Sequence, residues 1–336
     1  MNILIRADAS TAIGSGHVMR CLTVAHNLSR LGHNIRFWME PLPGNLIDFV
    51  QAVGFAVTQQ PLQVDILIVD HYGLGFEWER SMRSFARKIV VIDDLANRAH
   101  DCDLLLDQNV IANYDSRYDG LVASHCIKLL GPAYLIMRDE FIEARKTVTV
   151  RSGEVRRLLV FMGGSDPTGE TLKVLDAIEQ LQQLAANGQH HTSIEHIDVV
   201  VGSSNASKAL IEQRCSELNL HYYCQINYLS ALLAEADFAV GAGGSAMWER
   251  CYVGLPSSST VVAENQAATT DKAAQLGAII HLGWHEQVNA RTYFDLLIKL
   301  PELADKLIAM SKQGLSITES QGGSNAWLQE MVGLIP

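Results

Sequence analysis

Several kinds of residue and pattern are scarce in this chain, and each scarcity excludes a class of protein. With 8 prolines and 7% aromatics in 336 residues, the sequence has neither the bias of a fibrous repeat nor that of a disordered tail. No apolar run approaches the roughly 20 residues that cross a bilayer. The opening stretch MNILIRADAS carries Arg6 and Asp8 where a secretion signal would be apolar. The six cysteines (Cys21, Cys102, Cys126, Cys215, Cys224 and Cys251) form no CxxC pair, so they read as reduced thiols in or near a core. A soluble cytoplasmic protein, with no membrane partner, is the expectation. Positive charge is short as well: 26 Lys and Arg stand against 37 Asp and Glu, a net charge of −11. Residues 1–150 carry 14 basic and 17 acidic groups (−3), and residues 151–336 carry 12 and 20 (−8). Neither half has the basic surplus with which a duplex binder neutralises phosphates, so nucleic acid is disfavoured as a partner.

The chain does contain enough apolar side chains for a large core, 48% of the total, over a length that suggests two domains. Short aliphatic runs alternate with helix-period segments. In the first half NILIRA (2–7), IRFWM (35–39), VDILIVD (64–70), KIVVIDD (88–94), DLLLDQ (103–108) and CIKLLG (126–131) read as strands. Helices are expected over 17–31, where Val18, Cys21, Leu22, Val24, Ala25 and Leu28 have helical spacing, and over 45–53. Residues 131–154 read as a helix and linker. The second half repeats the alternation, with strands at 155–163, 197–202, 237–244, after Leu255 and near 279–283. Helices are expected at 170–184, after 202, after 244 and at 265–277. Two such blocks predict an α/β protein of two Rossmann-like domains facing a central cleft, residues 1–150 and 151–336. The last helix is one that can pack back on the first domain. Ligands in such sheets lie off the carboxyl ends of the strands, which makes the cleft the expected site.

Four turns stand out. In Gly14-Ser15-Gly16-His17 the glycines permit close backbone approach to a ligand, and Arg20, a turn later, is a further candidate for substrate binding. His17 would sit in the first turn of a helix, whose positive end disfavours imidazolium and leaves a neutral base. With no third spaced glycine this is not a dinucleotide fingerprint, and a plain polar helix start remains the alternative. Gly163-Gly164-Ser165-Asp166 offers amides to phosphate without the GK[ST] of a P-loop, or is a tight turn capped by Ser165 or Asp166. Gly241-Ala242-Gly243-Gly244-Ser245 is followed by Glu249 and Arg250. There Ser245 would cap a helix facing a diphosphate, and Glu249 would accept from a ribose diol. Glu264-Asn265-Gln266 places amides at a strand end, suited to sugar hydroxyls or phosphate, with Asn265 as a simple cap the other option. Two further strand ends, Asp70-His71-Tyr72 and Asp93-Asp94 with Arg98, belong to the first domain. The Asp93-Asp94 pair lacks a third nearby oxygen donor for a metal, so Asp94 reads as a helix cap or as the partner of Arg98.

The stretches IRADASTAIGSGHVMRCLTVA, VDHYGL, VVIDDLANRAHDCDLLLDQN, LLGPAYLIMRDEF, FMGGSDPTG, GAGGSAMWERCYVGLP and AENQ together resemble the UDP-sugar hydrolases of pseudaminic acid biosynthesis, over residues 3 to about 266. Departures within these blocks are conservative and remove no candidate residue. The Gly-Gly-Ser loops are shared more widely, with glycosyltransferases of the GT-B architecture. The resemblance implies a GT-B-like enzyme that hydrolyses UDP-2,4-diacetamido-2,4,6-trideoxy-β-L-altropyranose without metal or cofactor. Water attacks the anomeric carbon with inversion, and the released sugar goes on to pseudaminic acid and flagellin glycosylation. It also implies that His17 activates the water, Glu249 binds the uridine ribose, Ser245 and Gly244 meet the diphosphate, and Tyr72 and Asn265 lie near sugar or phosphate. A GT-B glycosyltransferase, a UDP-sugar 2-epimerase and a nucleotide-sugar-binding protein without catalysis are the competing readings. A monomer is expected, since a two-domain clamp can bury its own surfaces.

Overall fold

The computed structural model describes residues 1–320 and 323–335. The chain divides into two compact units, the first comprising Met1–Arg138 with Ser320–Pro336 and the second Asp139–Glu319. Unit 1 contains β1 (Asn2–Ala7), α1 (Gly16–Arg30), β2 (Asn34–Trp38), α2 (Ile47–Ala52), β3 (Ala56–Thr58), β4 (Val64–Asp70), α3 (Phe76–Met82), β5 (Ala86–Ile92), β6 (Leu104–Asp107) and β7 (Ile127–Leu130). Its strands form one sheet in the order β3-β2-β1-β4-β5-β6-β7, and every pairing is parallel. The aliphatic runs have no polar alternation because both faces are covered. Ile3 and Ile5 of β1 pack with Val18, Cys21, Val24 and Leu28 of α1, whereas Leu4 joins Leu67, Ile89 and Leu105 on the opposite face.

Unit 2 contains α4 (Asp139–Arg145), β8 (Arg157–Phe161), α5 (Glu170–Ala186), β9 (His196–Val201), α6 (Lys208–Glu217), β10 (His221–Cys224), α7 (Leu229–Glu235) and β11 (Phe238–Ala242). It continues with α8 (Ser245–Tyr252), β12 (Ser257–Val261), α9 (Glu264–Gln275), β13 (Ile280–Trp284), α10 (Ala290–Lys299) and α11 (Ala304–Ile317). The parallel sheet runs β10-β9-β8-β11-β12-β13. Both units are therefore doubly wound Rossmann-like folds. The chain reverses direction across the sheet between β1 and β4 in unit 1, and between β8 and β11 in unit 2. Such switch points open a crevice at the carboxyl ends of the strands.

Unit 1 ends at Arg138, earlier than the boundary at 150 that the sequence suggests. Two arginines explain the difference. Arg145 donates to the carbonyls of Tyr252 and Leu315 and to the Thr318 hydroxyl. Arg151 donates to the carbonyls of Leu233, Ala234 and Ala236. The segment read as a linker is thus fastened to unit 2. A last helix, α12 (Trp327–Val332), belongs to unit 1, where the fully buried Trp327 and Met331 join the core of β1 and α1.

Candidate active site

At the switch point of unit 1, β1 and β4 lie side by side, and the segments that follow them carry five of the sequence-selected residues: Gly14, Gly16, His17, Arg20 and Tyr72. The loop after β1 turns at Gly14, whose φ of 81° favours glycine and whose amide donates to the Ser10 carbonyl. Gly16 has no such backbone requirement, and a Cβ at Gly14 or Gly16 would meet nothing within 4 Å. Gly16 opens α1, and no side chain caps that helix end. His17 follows, buried at 7% exposure, with its Nδ1 2.6 Å from Oδ1 of Asp70, the last residue of β4. Arg20, one turn on, donates from Nε (2.8 Å) and Nη2 (2.7 Å) to the two oxygens of the same carboxylate, and Cys21 Sγ lies 3.5 Å from it. The Tyr72 ring stands edge-on to the imidazole, with centroids 4.4 Å apart.

Burial alone would raise the Asp70 pKa. The Arg20 charge, with the hydrogen bonds from His17 and Arg20, holds it well below the usual carboxylate range. An ionised carboxylate only accepts, so Nδ1 of His17 must carry the proton that faces it. In the neutral ring the lone pair is then on Nε2, the nitrogen turned away from Asp70. Among the described residues Nε2 makes no hydrogen bond. An imidazole held in this way can serve as an oriented general base. It also shows what Arg20 touches: the residue selected for ligand binding is engaged by Asp70, with Asp94 Oδ2 3.7 Å from Nη1.

Asp70 was named in the sequence only as part of a strand end. A signal was present: an acid closing a fully aliphatic buried strand requires a partner. The same pattern recurs on the neighbouring strands. Asp8 follows β1 and is held by both terminal nitrogens of Arg6, with His71 Nε2 3.4 Å away. Asp93 follows β5 and pairs with Arg98 at 2.8 Å, also accepting from the Leu95 and Ala96 amides and the Tyr118 hydroxyl. Asp107 closes β6 and pairs with Arg117 at 2.8 Å. Four adjacent strands therefore end in four buried acids, each with its own arginine. Two sequence expectations change here. Arg98 pairs with Asp93 rather than Asp94, and Asp94 caps no helix because residues 93–100 form none. Among the described residues no group of three or more His, Cys, Asp or Glu side chains converges as for a metal ion.

In unit 2 the two Gly-rich turns end β8 and β11, the neighbouring strands at the switch point, and Glu264-Asn265-Gln266 follows the next strand, β12. The two turns differ in what they leave open. Asp166 accepts from the amides of Glu170 and Thr171, so the first amides of α5 are already occupied. Gly164 and Ser165 stay exposed above them. At the second turn Gly244 (φ 83°) precedes α8 and no side chain caps the helix. Ser245, expected as its cap, is instead the exposed first helical residue. Gln266 lies over this turn: a Cβ at Gly243 would stand 3.0 Å from its Oε1, and that oxygen accepts from the Val262 amide. Asn265 is exposed in the first turn of α9, where Ala263 takes the cap position. Glu249 is half-buried one turn into α8. The structure thus gathers Gly164, Ser165, Gly243, Gly244, Ser245 and Gln266 at the carboxyl ends of three adjacent strands.

Comparison with known proteins puts names beside these features. No family model matches the chain. It is 25% identical over 290 residues to the UDP-2,4-diacetamido-2,4,6-trideoxy-β-L-altropyranose hydrolase of Campylobacter jejuni, an alignment covering 82% of this chain and 97% of that protein. It is 28% identical to the spore coat polysaccharide biosynthesis protein SpsG of Bacillus subtilis, covering 77% and 74% of the two chains. An uncharacterized protein of Methanocaldococcus jannaschii is 24% identical over 76% of this chain, which spans only 54% of that longer protein. Among solved structures, MurG of Acinetobacter baumannii matches with a TM-score of 0.63 at 13% identity, over 99% of this chain and 98% of that one. The spinosyn rhamnosyltransferase SpnG matches at 0.58 and 13%, over 99% and 100%. These structures share the GT-B fold, and the sequence relatives carry the names of a UDP-sugar hydrolase and of polysaccharide biosynthesis.

Proposed function

We propose that this protein hydrolyses UDP-2,4-diacetamido-2,4,6-trideoxy-β-L-altropyranose to UDP and 2,4-diacetamido-2,4,6-trideoxy-L-altrose, a step toward pseudaminic acid. Similarity to the Campylobacter hydrolase over nearly its full length supports the substrate class. The observation that carries the chemistry is His17, held in one orientation by the buried Asp70. In this reading Nε2 takes a proton from a water molecule as its oxygen attacks the anomeric carbon. The bond from that carbon to the diphosphate oxygen breaks, the electron pair leaves with UDP, and configuration inverts. UDP is already a good leaving group, and fixed amide dipoles stabilise its departing charge with no metal ion as a participant. The open end of α8 at Gly244 and Ser245 suits that role. Glu249 would hold the ribose, Asn265 and Gln266 the phosphate or sugar, and Tyr72 flanks the base.

The discriminating experiment is UDP release from UDP-linked sugars with no acceptor added. The hydrolase reading expects release at a rate set by enzyme alone, and a glycosyltransferase expects release only with an acceptor. His17→Asn should lose turnover by a factor on the order of 10²–10⁴, the range of a general base, while binding UDP nearly as wild type does. Near-normal kcat in that variant would remove His17 from the mechanism.

A further inference from the structure

Arg250 is 2% exposed, on a helix whose other buried residues are Met247, Trp248, Cys251 and Tyr252. Its Nη2 donates to the Ala242 carbonyl and the Ser259 hydroxyl, both at 2.8 Å, and neither partner carries a negative charge. Nε and Nη1 are buried with no hydrogen-bond partner. Burial pulls the guanidinium pKa down to about 10, which still leaves it charged near neutral pH. No carboxylate hydrogen-bonds this cation, and the charge of the adjacent Glu249 only partly offsets the cost of burying it.

Its place is the inner side of the second Gly-rich turn. Gly241 and Ala242 end β11, and Gly243-Gly244 lead directly to the uncapped N-terminus of α8. The backbone is shaped around the guanidinium: a Cβ at Gly241 would stand 2.4 Å from Nη1 and 2.9 Å from the Phe161 carbonyl. The glycine at 241 has no positive φ to serve, so the close approach of Arg250, together with that of the Phe161 carbonyl, accounts for it.

We propose that Arg250 is a positioning residue for a nucleoside diphosphate, its buried charge adding to the open end of α8 to hold two phosphates over Gly243–Ser245. The inference rests on the UDP-sugar reading above. It also explains how the half of the chain from residue 151, with a net charge of −8, attracts a multiply charged anion. A charge in the interior acts more strongly than one in water and is much less screened by salt.

The test compares affinities of the full chain for UDP and for uridine, which lacks both phosphates, by ligand-observed NMR. Arg250→Met keeps the length of the side chain and removes the charge, and Arg250→Lys keeps the charge. Arg250→Met should weaken UDP tenfold or more and leave uridine within twofold, and Arg250→Lys should regain most of the loss. Gly241→Ala displaces the guanidinium without deleting it, so the same selective loss is expected there, even if the Met variant fails to fold. An unchanged ratio of UDP to uridine affinity in the folded variants, or equal loss of both ligands, overturns the proposal while leaving the UDP-sugar reading intact. If the wild-type protein binds neither ligand, that reading fails and takes this one with it.

Discussion

Asp70 receives hydrogen bonds from the imidazole and from two nitrogens of the guanidinium within one turn of α1, and it does so without contact with solvent. Asp70→Asn would place an amide NH2 against donors and release His17 from a single tautomer. The expected result is a fall in kcat by a factor on the order of 10²–10⁴ at little-changed KM, measured per folded molecule. A loss of stability should accompany it, because Arg20 then keeps only the more distant Asp94 carboxylate, 3.7 Å from Nη1, as counter-charge. A kcat within threefold of wild type would show that orientation of the ring is dispensable. His17 was legible in the sequence because flanking glycines at a strand–helix junction are a local signal. Asp70 was not, because its partners lie 50 residues earlier, and only the topology that pairs β1 with β4 brings them together.

Among the elements, the long aliphatic strands and the periodic helices α1, α5 and α9 stand close to where the sequence puts them. The short pieces β3, β10, α3 and α7 were not legible. The two strands are sheet edges of three and four residues with no fully buried position, and such pieces acquire their structure from the neighbour they pair with. The first Gly-rich turn of unit 2 was readable as a turn but not as an occupied one, since sequence alone does not tell whether Asp166 points at its own helix. That turn depends on a neighbour as well. A Cβ at Gly202, just after β9, would stand 2.3 Å from the Gly164 carbonyl, and Ser204 donates to the same oxygen. Gly202→Ala should therefore push the Gly163–Asp166 turn aside, costing about 1–3 kcal/mol and weakening UDP. Thermal unfolding and the UDP titration together check it, and unchanged values in both would mean the two loops move freely past each other.

At the scale of the whole molecule the row of buried acids shapes the pH dependence of stability, because its members titrate in opposite senses. For Asp8, Asp70 and Asp93, arginine charges and hydrogen bonds outweigh burial and lower the pKa. Their contribution is present above the ordinary value near 3.8 and is lost as pH falls. Asp107 is the reverse: burial, with Asp93 and Asp94 nearby, raises it to about 7 despite Arg117. It binds its proton more tightly folded than unfolded, so its contribution is complete below 3.8 and lost as pH rises through 7. Thermal unfolding between pH 5 and 8 should show stability declining toward pH 7 by up to about 1.4 kcal/mol per unit, and Asp107→Asn should flatten that decline. Identical slopes for variant and wild type would remove Asp107 from the titration.

The division of the chain also has a temporal consequence. Unit 2 is inserted between two pieces of unit 1, and Trp327, wholly buried in the unit 1 core, comes after the insertion. On the ribosome every residue of unit 2 emerges before that tryptophan does, and domains fold as units while synthesis proceeds. The half that bears His17 begins first and closes last, holding a vacant berth in its core until the chain returns to fill it.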